Sequence, residues 1–137
     1  TARGLIIGIT RGTTRAHVVR AALDAIAYQV RDVVELMTAD GGVPLTRLSI
    51  DGGAAANDLL CQLQADALQL TVDRSAELQT TGLGAAFLAG LGVGMWPSVD
   101  ALASTRHSSG VFEPGDDDPA ARDHWRSAVQ RSKGWVS

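Results

Sequence analysis

Residues 15–39, RAHVVRAALDAIAYQVRDVVELMTA, place Val18, Ala22, Ile26, Val30, Val33 and Met37 at spacings of three and four. That period gathers them on one face of a helix. The segment predicts a helix of roughly 25 residues, about 37 Å long. Arg20 with Asp24 and Arg31 with Glu35 form i,i+4 pairs on its more polar faces. Asp40-Gly41-Gly42 ends it. So long an amphipathic helix between short apolar runs needs a layer to pack on.

The runs around it read as strands. GLIIGIT (4–10) is apolar and β-branched, LTRLSI (45–50) is similar, and LTVDR (70–74) is a third. RGTTR (11–15) supplies a turn and a helix cap. Helices are predicted over 54–68, with Leu59, Leu60, Leu63 and Leu68 as its apolar contribution, and over 80–94, where small residues would let another backbone approach. Thr81 is a candidate cap for the latter. Ser98 would cap a short turn through Leu102, and 104–118 reads as a long irregular loop. Asp118-Pro119 starts a last helix to about 132, with Trp125, Ala128 and Val129 on one face. Trp125 and Trp135 would anchor this tail, which GWVS (134–137) closes. The order β-α-β-α-β-α, then loop and helix, puts the chain in the α/β class.

Composition narrows the function. The 137 residues suit one domain, with 45% hydrophobic and 20% charged residues and a mean hydropathy of +0.07. Net charge is −3 with no basic stripe, so nucleic acid is not the expected partner. The single cysteine, Cys61, allows no internal disulfide and reads as a small buried hydrophobe. The three histidines lack metal-ligand spacing. His17, in a first helical turn, suits a neutral hydrogen-bonding role. No membrane span or signal peptide is evident, and a cytoplasmic location is expected. TARGLIIGI, already close to strand material, suggests a piece of a longer polypeptide.

The most informative chemistry lies in LSIDGGAAANDLL (48–60). Asp51 ends a predicted strand, where ligands of α/β sheets gather. Gly52 and Gly53 leave the backbone open, the following helix offers N–H groups to phosphate, and Asn57 can donate and accept. A nucleotide platform is one reading. A plain Asp-Gly-Gly turn, as at 40–42, is the other. TTGLGAA (80–86) has Phe87 where a dinucleotide fingerprint needs its third glycine, and no P-loop motif occurs. Arg11 faces either phosphate or neighbouring carbonyls. GDDD (115–118) reads as a solvated, helix-capping face rather than a cation site.

GLIIGITRGTTRAHVVRAALDAIAYQVRDVVELM closely resembles the corresponding stretch of the FGGY carbohydrate kinase family, and of its glycerol kinases in particular. Gly4, Gly8, His17, Ala21, Leu23 and Asp24 fit its C-terminal signature. DGGAAAND is similar to the family's adenine-nucleotide segment, TTGLGAAFLAGLGVGMW to its small-residue helix, and HWRSAVQRSKGW to its closing segment. The likeness spans nearly the whole chain and is weakest over 103–118. It implies part of the C-terminal actin-like, ribonuclease H-like ATPase domain of a two-domain sugar kinase. Residues 1–103 would be an incomplete actin-like domain, and 104–137 a loop and helix packed on it.

The resemblance also implies transfer of the ATP γ-phosphate to the sn-3 hydroxyl of glycerol, with Mg²⁺. Gly52, Gly53, Ala54 and Asn57 would contact ATP, with Asp51 behind them. Asp58 replaces the family's second asparagine and is expected to face away. Leu78-Gln79 stands for Arg-Glu, and Gly82 for alanine. The catalytic base and glycerol contacts would lie upstream, so no catalytic residue and no metal ligand is expected here, and the isolated chain would be inactive. Another sugar kinase of the family, or a non-catalytic actin-like nucleotide-binding module, would share these features. The implied partners are ATP or ADP, glycerol through the upstream part, and a second copy or companion chain covering exposed strand edges.

Overall fold

The computed structural model describes residues 2–42 and 44–135; Val136 and Ser137 of the closing GWVS lie outside them. The first helix, α1, spans Arg15–Gly41. Thr14 Oγ1 accepts the His17 backbone N–H at 3.4 Å, and His17 Nδ1 accepts the Thr14 N–H at 3.2 Å. Two N–H groups that the helix leaves without partners are satisfied reciprocally. At the other end Gly42 is left-handed, φ 64°, and its N–H donates to the Thr38 carbonyl at 3.0 Å. Arg20 donates to Asp24 at 3.0 Å and Arg31 Nε to Glu35 at 2.7 Å.

The buried face of α1 is not the predicted one. Ala27 and Val34 are buried, while Ile26, Val33 and Met37 are 44%, 56% and 63% exposed. The helix packs chiefly against α2, Asp58–Leu68. The small Ala27 side chain lets the two helices approach, and the larger apolar stripe is turned outward.

Strands β1 (Arg47–Ile50), β2 (Thr71–Ser75) and β3 (Ser108–Phe112) form one sheet in that order. β1 and β2 are parallel, Leu48 opposite Val72, and α2 makes the crossover between them. β2 and β3 are antiparallel, Asp73 opposite Val111. Central β2 buries Val72, Asp73 and Ser75, and α2, with Leu60, Cys61, Leu63 and Ala65 buried, packs between α1 and the sheet. Cys61 is fully buried, its Sγ donates to the Ala55 carbonyl at 3.2 Å, and burial pushes its thiol pKa up. The thiol is an inert core group.

Two strand expectations are corrected. Residues 4–10 form no strand: they are exposed, and the segment is tied down where the Arg3 N–H donates to the Ser132 carbonyl at 2.9 Å. A ladder needs a neighbour, and none among the described residues lies beside GLIIGIT. Conversely, 104–118 is not wholly irregular, because 108–112 forms β3. Ser108, Ser109 and Gly110 have weak strand propensity. Contacts hold them instead: the Ala76 N–H to the His107 carbonyl at 2.8 Å, and the Thr71 hydroxyl to the Glu113 carboxylate at 2.8 Å.

Helix α3, Thr80–Gly92, starts without a side-chain cap, so Thr81 does not cap it. Of its glycines only Gly90 meets a neighbour closely, Trp96; Gly82, Gly84 and Gly92 face open space. Phe87 meets the same Trp96 edge-on, ring centroids 6.0 Å apart. Ser98 caps the short α4, Val99–Ala103. Asp118 caps α5, Pro119–Arg131, accepting the Ala121 N–H at 2.9 Å. Trp125 docks α5 on α1: it stacks on Tyr28 at 5.7 Å and its indole N–H donates to Asp32 at 2.8 Å. Trp135, expected to be a second anchor, is 62% exposed, and its indole N–H donates back to the Arg131 carbonyl at 2.9 Å. No helix among the described residues is long and apolar enough to cross a membrane.

Candidate functional site

Asp51 follows the last residue of β1, at the C-terminal edge of the two parallel strands. The chain then turns through Gly52 into a 3₁₀ turn, Gly53–Ala56, before α2. The helix expected over 54–68 therefore begins four residues late. Gly52 has φ 88° and ψ 166°, a conformation open essentially to glycine alone. Its N–H donates to the Leu78 carbonyl at 3.1 Å, and its carbonyl accepts from Ala55 at 3.0 Å. Gly52 is thus required by the backbone itself.

Gly53 differs. It is exposed, its φ is not positive, and a Cβ there would meet nothing within 4 Å. Gly53 and Ala54 open the 3₁₀ turn, so their N–H groups have no acceptor within it. Two exposed amides at the carboxyl edge of a sheet suit an anionic ligand. That is the chemistry the turn offers.

Asn57 is exposed, but its side chain is engaged. Its Oδ1 accepts the Leu60 N–H at 3.2 Å and caps α2. The amide NH₂ is the part left for a ligand. The α2 N-terminus is less open to phosphate than the sequence suggested, because Asn57 and Asp58 already occupy its first turn. Asp58 pairs with Arg74 at 2.6 Å.

Arg74 has no role in the sequence reading, yet it holds the turn together. Its Nη1 also donates to the Ala55 carbonyl at 3.1 Å, its Nε to the Ser109 hydroxyl at 3.1 Å, and its guanidinium lies 5.4 Å from the Phe112 ring centre. One β2 side chain thus ties the 3₁₀ turn, the start of α2 and β3. Its only sequence signal is its place in LTVDR near a strand end.

Asp51 is exposed and accepts a hydrogen bond from the Thr80 hydroxyl, linking the end of β1 to the start of α3. Beside it is a cavity of about 400 Å³, lined by Ile50, Asp51, Leu83, Phe87, Arg106 and His107 among others. Residues 52–57 do not line it. Arg106 leads from the cavity to buried Asp73, donating from Nη1 to Oδ2 at 2.8 Å and from Nη2 to the Asp73 carbonyl at 3.0 Å. Arg47 donates to the same Oδ2 at 3.0 Å. The Arg106 bond above all holds the Asp73 carboxyl below its usual range. Oδ1 nevertheless has no partner at hydrogen-bond distance, since Ser108 Oγ donates to the Gly110 carbonyl at 3.3 Å.

Among the described residues no group of three or more His, Cys, Asp or Glu side chains could hold a metal ion. The donors at 52–57 are backbone amides and a carboxamide, which fit a phosphate or a nucleoside rather than a bare cation.

Residues 1–93 match the C-terminal domain of the FGGY family of carbohydrate kinases. The chain is 55% identical over 139 residues to a glycerol kinase of Aromatoleum aromaticum, and 50% identical over 138 residues to glycerol kinase 2 of Sulfolobus acidocaldarius. These alignments cover 99% and 98% of this chain but 28% of each relative. In structure it is similar to Plasmodium falciparum glycerol kinase with ADP, with a TM-score of 0.81 and 37% identity over 98% of this chain and 28% of that one. A gluconate kinase of Lactobacillus acidophilus, TM-score 0.71 at 21% identity, shares the fold over 96% of this chain and 26% of its own. The α/β architecture is that of the actin-like, ribonuclease H-like C-terminal domain of these kinases. The chain belongs to the FGGY family of carbohydrate kinases and lies within its C-terminal domain.

Proposed function

We propose that this chain is the nucleotide-binding C-terminal portion of an ATP-dependent glycerol kinase. The observation that carries the reading is the open turn after β1, where Gly53 and Ala54 expose amides with room for a ligand above them. The high identity to glycerol kinases supports the substrate. In this reading Gly52 shapes the turn, Gly53 and Ala54 approach the phosphates and adenosine, and the Asn57 NH₂ meets the purine or ribose. Asp51 stays behind them, held by Thr80.

The reaction moves the γ-phosphoryl of ATP to the glycerol 3-hydroxyl, whose proton leaves to a general base, giving ADP and sn-glycerol 3-phosphate. Mg²⁺, when bound with ATP, would supply charge neutralisation at the transferring phosphoryl group. This chain contributes fixed amide dipoles, which need no reorganisation as charge develops. The base lies outside the chain, so the isolated chain turns nothing over.

The test is a hybrid in which this chain replaces the matching 28% of the Aromatoleum aromaticum kinase. ADP release should depend on glycerol, and the isolated chain should release none above a buffer blank. A folded hybrid that releases no ADP with glycerol would overturn the reading. ATP kinetics unchanged by Gly53→Val would overturn the site.

A further inference from the structure

The turn that presents the Gly53 and Ala54 amides cannot fix itself. Residues 52–56 are Gly-Gly-Ala-Ala-Ala, and none carries a polar side chain. Its fixed point is Ala55, which is buried. The Ala55 N–H donates to the Gly52 carbonyl at 3.0 Å, and the Ala55 carbonyl accepts from Arg74 Nη1 at 3.1 Å and from Cys61 Sγ at 3.2 Å. A thiol is a weak donor, so the guanidinium is the firmer hold. Arg74 is itself held from three sides. Its Nη1 donates to Asp58 at 2.6 Å, its Nε to the Ser109 hydroxyl at 3.1 Å, and its guanidinium lies over the Phe112 ring. The Asp58 side chain is 75% exposed, and an ion pair so open to water adds little stability. What the fork supplies is direction, because its N–H groups leave one rigid plane.

We propose that Arg74 is a positioning residue for nucleotide binding: it clamps the Ala55 carbonyl and so sets the direction of the Gly53 and Ala54 amides that meet ATP. This rests on the glycerol kinase reading, in which those amides touch the nucleotide and Arg74 acts only through the turn. The Gly52 carbonyl fixes the peptide plane before Ala55, and Arg74 fixes the plane after it. Little freedom is left between them, so the two open amides are set before ATP arrives. Donors set in advance need no ordering on binding. Without the guanidinium the Ala55 carbonyl keeps only the thiol, and ATP itself must order the turn, which weakens its binding.

The test is the split between the two Michaelis constants in the hybrid kinase. Arg74→Met keeps the stem and removes the fork. It should raise the KM for ATP on the order of tenfold, the size of one lost charge-assisted hydrogen bond, and leave the KM for glycerol unchanged. Arg74→Lys keeps the charge opposite Asp58 but not the second donor to Ser109, and should raise the KM for ATP by a smaller factor. Arg126→Met, in an exposed pair with Asp123, should change neither. A purely structural arginine would act differently: loss of folded enzyme lowers the apparent kcat and leaves both KM values alone. That pattern, or equal rises in both KM values, overturns the proposal. If Arg74→Met does not fold, Arg74→Lys decides, and an unchanged KM for ATP in it overturns the proposal. Gly53→Val tells the two failures apart. A KM for ATP raised by Gly53→Val but by neither change at Arg74 leaves the nucleotide turn standing and removes Arg74 from its service. ATP kinetics unchanged by all three remove the site itself.

Discussion

The Asn57 side-chain carbonyl accepts the Leu60 backbone N–H at 3.2 Å, so a residue expected to serve a nucleotide also starts a helix. The two roles use different atoms and can be separated. Asn57→Asp keeps an acceptor for the cap and removes the NH₂ donor. It should leave stability within about 0.5 kcal/mol, because Asp and Asn cap equally well. Asn57→Ala removes both and should cost about 1 kcal/mol. Urea denaturation of the isolated chain checks the stabilities. In the hybrid kinase both variants should raise the KM for ATP; normal ATP kinetics in Asn57→Asp would confine Asn57 to capping.

The adjacent glycines should respond oppositely. Gly52→Ala forces a side chain into φ 88°, ψ 166° and should destabilise the chain by about 1–3 kcal/mol. Gly53→Ala meets open space and should be stability-neutral to about 0.5 kcal/mol. Thermal melts of the two variants decide this; equal losses would mean that Gly53 is also held by the fold.

Asp73 is 2% exposed and sits between Arg47 and Arg106. Its folded pKa lies below the reference of 3.8, so the unfolded chain takes up its proton first. The stabilisation is present above that reference and is lost as pH falls through the depressed folded value. Asp73→Asn should cost about 2 kcal/mol at neutral pH, less than a fully buried pair because both arginines reach water. It should also flatten the stability curve below about pH 4. Chemical denaturation from pH 7 to 3 tests both; an unchanged acid limb would move the titration elsewhere.

Gly90 lies under Trp96, and a Cβ there would approach the indole to 2.7 Å. Alanine normally improves a helix interior by about 1 kcal/mol over glycine. Here overpacking should outweigh that gain, and Gly90→Ala should lose about 1–2 kcal/mol net. A shifted tryptophan emission and a lower urea midpoint are the expected signs. A gain in stability would show that Trp96 moves aside freely.

The features the sequence settled alone are short-range ones. Thr14, Gly42, Ser98 and Asp118-Pro119 mark helix ends because capping is a bond between residues a few positions apart. Arg20–Asp24 and Arg31–Glu35 follow from helix spacing, and Cys61 among leucines could hardly be anything but buried. The family resemblance was legible in DGGAAAND and its companion segments for the same reason: they are contiguous strings. Tertiary structure decided the rest. Periodicity shows that α1 has an apolar stripe but not what faces it, and here Ala27 and Val34 face α2 while the stripe faces out. Strand propensity favours GLIIGIT over SSGVF, yet only SSGVF pairs, because a strand is completed by a neighbour distant in sequence. The roles of Arg74 and Asp73 likewise depend on Ala55, Asp58 and Arg106, brought near only by folding. Local hydrogen bonding and helical spacing can be read along a chain; burial and ladder pairing depend on the non-local partner that shares them.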